Sequence, residues 1–80
     1  MKGDAATIEE QTEWRVVLLD VGPQRVAVMK VLRELLNLPL RETKALVDAP
    51  PVAVGEDLDR EAAEHLHERL LAAGAAAEVR

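Results

Sequence analysis

The stretch from Arg25 to Val47, RVAVMKVLRELLNLPLRETKALV, has helical apolar spacing along its length but carries Pro39 near its middle. Proline has no backbone N–H for the preceding turn, and its ring clashes with the carbonyl four residues back. One long helix is therefore excluded. The stretch must form two helices that break at Asn37-Leu38-Pro39-Leu40. Asn37 tolerates the left-handed conformation that closes a helix. Pro39 suits the first turn of the next helix, where its missing N–H is not needed. Pro50-Pro51 stops the second helix at about Asp48, because proline biases its predecessor away from helix. The rest of the chain has to pack around this helix–break–helix unit.

Before it, Trp14–Leu19 reads as a short strand rich in aromatic and β-branched residues. Trp14, Val16 and Leu18 share one face, the better candidate for the core side; Arg15, Val17 and Leu19 share the other. Asp20-Val21-Gly22-Pro23 ends the strand with turn chemistry. The first helix covers Gln24–Leu36, with Val28, Val31, Leu32, Leu35 and Leu36 as its apolar stripe. The second offers Leu40, Thr43, Leu46 and Val47 for packing. Val52–Val54 is a brief strand, and a proline at its start suits a sheet edge. Gly55-Glu56-Asp57 reads as a turn. Asp59 then caps a third helix over Arg60–Ala73, with Glu61 in its first turn. Ala62/Ala63, Leu66, Leu70 and Leu71 form its stripe, and Gly74 is the residue just past its end. Ala75–Arg80 closes as a strand, with Ala75, Ala77 and Val79 on one side. The order β-α-α-β-α-β, with too few strands for a two-faced sheet, predicts an α+β sandwich: three helices on one face of a small antiparallel sheet.

Charge singles out the same stretch. Arg25, Lys30, Arg33, Arg41 and Lys44 stand against Glu34 and Glu42, so the segment is +3 in a chain of −5, and the remainder is −8. A basic island on an acidic chain is a local recognition signal. On the first helix Val26, Met29, Lys30 and Arg33 recur at i, i+3, i+4 and i+7, which puts them on one face. Either Val26 and Met29 are the margin of a wide buried stripe, or they are the apolar part of an interface ringed by cations.

The remaining classes find little support. Eighty residues make one small domain. With no cysteine there is no disulfide framework or thiolate metal site, and an unstapled domain is at home in the cytosol. No apolar run approaches the ~20 residues that span a membrane. Net acidity and a single aromatic, Trp14, argue against direct nucleic-acid binding. The chain has no serine, and His65 and His67 are two apart, so they do not share a helix face as a metal pair would. No catalytic, cofactor or metal site is expected.

The segments TEWRVVL, RVAVMKVLR, LPLRETKALV and AAGAAAEVR, together with Gly22 and Pro51, carry a resemblance. From Glu10 to Arg80, collinear over about 71 residues, the chain resembles the C-terminal domain of the bacterial ribosomal large-subunit stalk protein (the L-seven/L-twelve type). The resemblance implies three helices on a three-stranded antiparallel sheet. It also implies a cytoplasmic docking module for translational GTPases: initiation, elongation and release factors. The docking face would lie between the first two helices. Its basic positions would be Arg25, Lys30, Arg33 and Lys44, beside Val26, Ala27, Val28 and Met29, with Leu40 and Glu42 across the break.

Taken with the charge pattern, the candidate partner-binding set is Arg25, Val26, Met29, Lys30, Arg33, Leu40, Arg41 and Lys44. Arg25 and Arg41 replace lysine, which keeps charge but changes hydrogen-bond geometry. Where the family is glycine-rich around the break, this chain has Glu34, Asn37 and Pro39. About nine residues precede the match, so a chain without the family's dimerisation domain and hinge is expected. The expected organisation is a flexible lead-in over 1–11 and a stand-alone stalk-type domain over 12–80. The alternative function is a stand-alone adaptor or regulator on the same fold with a non-ribosomal partner. Apolar residues on the first helix would also support a weak homodimer.

Overall fold

The computed structural model describes residues 12–80; the lead-in expected at Met1–Gln11 lies outside them. The elements are β1 (Trp14–Asp20), α1 (Arg25–Leu36), α2 (Leu40–Val47), β2 (Val52–Leu58), α3 (Arg60–Ala72) and β3 (Ala76–Val79). The strands form one antiparallel sheet in the order β2-β1-β3, so the fold is the expected α+β arrangement with β2 at an edge. Val16 and Leu18 of the central strand are fully buried, in one core with Val28 and Leu32 of α1 and Leu66 and Leu70 of α3. Val17, on the opposite face of β1, is also buried, lying between Ala53 and Glu78 on the neighbouring strands. Trp14 is half-buried at the margin of the core, with the Arg60 guanidinium 5.9 Å from its ring centroid.

The turn after β1 is an Asp20 device: its Oδ1 accepts the Gly22 N–H at 3.0 Å. Gly22 sits at φ +79°, a conformation that costs an L side chain strain. α1 buries Val28, Val31 and Leu32 and half-buries Leu35 and Leu36. Asn37 closes it in the left-handed region at φ 58°, ψ 37°. Pro39 stands one place earlier than expected. It is the N-cap of α2, with extended ψ 158°, not part of its first turn. The fixed φ of proline serves either position, and here its free carbonyl starts the ladder. That carbonyl accepts both the Thr43 N–H and the Thr43 hydroxyl, each at 3.0 Å. Thr43 is fully buried, so its hydroxyl needs this partner.

Gly55-Glu56-Asp57 is not a turn. It belongs to β2, which runs on to Leu58. Val17 pairs with Ala53, Val16 with Gly55 and Trp14 with Leu58, so β2 carries an extra residue on each side of Gly55. Asp57, at φ 57°, is inside this irregular stretch. A bulge needs the same left-handed residues as a turn, which is why the local sequence suggests either.

Asp59 caps α3, its Oδ1 accepting the Ala62 N–H at 2.7 Å. Replacing Asp59 with Ala is expected to cost about 1 kcal/mol, read as a lower Tm in thermal unfolding; an unchanged Tm would show the cap contributes nothing. α3 buries Ala63, Leu66 and Leu70. Leu71, expected on that stripe, is instead 48% exposed, because one step along a helix turns a side chain by roughly 100°. Gly74, at φ +90°, ends α3 in a Schellman arrangement. Its N–H bonds the Leu71 carbonyl and that of Ala75 bonds the Leu70 carbonyl, both at 3.0 Å. β3 is shorter than expected, but Arg15 and Arg80 exchange two backbone hydrogen bonds, 2.9 and 2.8 Å, that prolong its pairing with β1.

Candidate protein-docking site

α1 and α2 pack against one another as an antiparallel hairpin. The Arg25 guanidinium donates to the Asp48 carboxylate, which fastens the start of α1 to the residue just past α2. Leu40 and Arg41 consequently lie at the break end, and Val26 lies at the opposite end. Helical spacing then settles the role of α1. Val28, Val31 and Leu32 enter the core, Val26, Lys30 and Arg33 face outward, and Met29 lies between the two sets.

Two of the apolar candidates are markedly exposed: Val26 at 71% and Leu40 at 50%. Met29 is half-buried and packs against the core margin, so the sequence alternatives divide between these residues. Val26 is surface; Met29 is both margin and surface. Lys30, Arg33, Arg41 and Lys44 are exposed and make no ion pair among the described residues. Arg25 differs, since Asp48 already offsets its charge. Lys30, Arg33, Glu34, Asn37 and Leu38 line a shallow concavity where α1 ends. The chemistry on offer is therefore an exposed apolar side chain at each end of a hairpin whose two helices carry four exposed cations. That pattern suits a partner with exposed carboxylates around an apolar contact.

Two partners of this surface were not apparent in the sequence. Asp48 is one; a basic residue at the start of a helical hairpin and an acid at its end is a signal that would have found it. Arg69 of α3 is the other. Its Nη2 donates to Glu34 Oε1 at 3.1 Å, and nothing local marks that pairing. Elsewhere the chemistry is plain. His65 is exposed, and His67 donates from Nε2 to the Ala77 carbonyl at 2.9 Å, tying α3 to β3. Among the described residues no group of three or more His, Cys, Asp or Glu side chains is placed to hold a metal. A second concavity at the far end of the sheet, around Trp14, Arg15, Glu56 and Arg80, mixes both signs of charge.

Residues 14–80 match the family model of the ribosomal protein L7/L12 C-terminal domain. The chain belongs to that family. The match takes in the whole of the α1–α2 hairpin and all three strands. Among curated relatives, the large ribosomal subunit protein bL12 of Burkholderia vietnamiensis is 49% identical over 78 residues, covering 98% of this chain and 63% of that protein. The bL12 of Leptothrix cholodnii is 50% identical over 75 residues, covering 94% of this chain and 60% of its own length. The bL12 of the more distant Chloroflexus aurantiacus is 43% identical over 76 residues, covering 95% and 58%. The chain thus spans less than two thirds of the length of these L7/L12 relatives. No helix among the described residues is long and apolar enough to cross a membrane.

Proposed function

We propose that the chain is a non-enzymatic docking module of the large-subunit ribosomal stalk type, working in the cytoplasm. Its α1–α2 hairpin receives translational GTPase factors. Four exposed cations without an ion-pair partner among the described residues, set beside exposed Val26 and Leu40, carry the reading. Membership of the L7/L12 C-terminal domain family supports it, as do relatives whose name makes them large-subunit ribosomal proteins. Lys30, Arg33, Arg41 and Lys44 supply steering charge, Val26, Met29 and Leu40 the apolar contact, and Arg25 acts through its clamp on Asp48.

Each exposed charge contributes about 0.2–1 kcal/mol, with much of the effect in the association rate. The test is a charge reversal. Lys30→Glu with Arg33→Glu is expected to weaken binding of a purified initiation-factor GTPase by about tenfold or more at low salt, measured by titration calorimetry. The same titration at high salt should narrow the gap, because exposed charges are screened. Binding unaltered by the double reversal at low salt would sink the reading.

A further inference from the structure

Lys30 lies between two shallow grooves, one at the C-terminal end of α1 and one between α1 and α3; Glu34 borders both, and Arg69 borders the second. Lys30 and Glu34 are one helical turn apart, so their Cβ atoms are separated by about 6 Å. An acid so close to the central cation of the docking face would be expected to neutralise it. In the structure it does not. The Glu34 carboxylate is bonded to Arg69 Nη2 at 3.1 Å, and Lys30 has no ion-pair partner among the described residues.

The preference has two physical causes. A lysine four residues before a glutamate is the weaker order of an i, i+4 pair, because it sets both charges against the helix dipole. The arginine fork is planar, offers several donors and is less strongly hydrated than an ammonium, so it holds a carboxylate better. Arg69 is also well placed to stay. It lies in the last turn of α3, where positive charge suits the helix end. The positions one turn away on its own helix, His65, Leu66, Ala72 and Ala73, carry no acid to compete for it. The shared core of Val31 and Leu32 with Leu66 and Leu70 fixes α1 against α3 and keeps the two side chains in reach.

We propose that Arg69, which lies outside the docking face, is a positioning residue for it. By drawing the Glu34 carboxylate toward α3, Arg69 leaves the Lys30 ammonium available to a carboxylate of the partner. This rests on the docking reading above, and the ligand chemistry is the same: an acidic surface of a translational GTPase factor.

The experiment compares the chain with Arg69→Met, Glu34→Gln and the double variant. Methionine keeps most of the apolar stem of Arg69 while removing its charge. The first measurement uses no partner. In Arg69→Met the side-chain nitrogen resonance of Lys30 should move as Glu34 turns to it, and in the double variant it should return to the parent position. The second is titration with an initiation-factor GTPase at low salt. Arg69→Met should weaken binding about two- to fivefold, Glu34→Gln should bind at least as well as the parent, and the double variant should recover parental affinity. A merely structural role for Arg69 predicts no such rescue. Lys30 resonances that coincide in Arg69→Met and the parent overturn the proposal, as does a double variant as weak as Arg69→Met. A parent chain that does not bind the factor overturns the docking reading instead, and the Lys30 resonances still decide whether Arg69 holds Glu34 away.

Discussion

Gly22→Ala is expected to lose about 2–4 kcal/mol of a total that, for a domain this small, is about 4–10 kcal/mol. Two penalties combine. At φ +79° an alanine accepts left-handed strain of about 1 kcal/mol. In addition, a Cβ built on Gly22 would lie 2.2 Å from the Gly74 carbonyl oxygen and 3.1 Å from its carbon. Both are backbone atoms of the Schellman turn, so the contact is not relieved by rotating a side chain. One of the two turns has to move. Gly74→Ala is the matched control. Its φ of +90° imposes similar strain, but the nearest atom to the new methyl group would be Gln24 Nε2 at 3.6 Å, an ordinary contact. Only about 1 kcal/mol should be lost there. Because each kcal/mol moves Tm by about 4–8 °C in a domain of this size, calorimetry separates the two variants easily. Equal losses would show that the close approach of the two turns contributes nothing.

The second large effect is expected at Leu70. This side chain is fully buried where α3 meets the sheet. Cutting it to alanine removes transfer energy and leaves a cavity in a core too small to collapse around it, for a loss of about 2–5 kcal/mol. The adjacent leucine supplies the contrast. Leu71 is 48% exposed, so Leu71→Ala should stay within about 0.5 kcal/mol. Urea denaturation of the pair gives both numbers in one experiment. Comparable losses at the two positions would place Leu71 in the core after all, against the geometry of α3.

That pair also shows what the amino-acid order specifies and what it leaves open. Apolar spacing locates α3, and Asp59 and Gly74 mark its ends, since each of these signals is local. Spacing does not say how wide the buried stripe is. The width depends on how closely β1 and α1 approach, so Leu66 and Leu70 were legible and the exposure of Leu71 was not. Gly55 and Asp57 make the same point for β2: left-handed and flexible residues permit a turn or a bulge, and only pairing with β1 decides between them. On the proposed docking face, the common exposure of Val26, Lys30 and Arg33 was readable because one helix carries them all. The Arg25–Asp48 and Glu34–Arg69 pairs join residues that are distant in sequence, and they exist only once the helices are packed. Which charges on the α1–α2 hairpin stay unpaired among the described residues is thus set partly by tertiary structure.

The sheet order has a consequence for the making of the molecule. β1 is the first of the described elements to be synthesised, yet it is the middle strand, and both of its neighbours come later in the chain. The hairpin of α1 and α2 closes over a short span and can form early, because local contacts cost little chain entropy. The Val16 and Leu18 side chains have no complete wall until β2 and then β3 arrive beside them. During synthesis this apolar strand therefore has both edges unpaired until β2 emerges, and one edge unpaired until residues 76–79 are in place. For that interval its protection from other chains depends on the charged residues Arg15 and Asp20 within it, the kind of residue that guards exposed strands elsewhere.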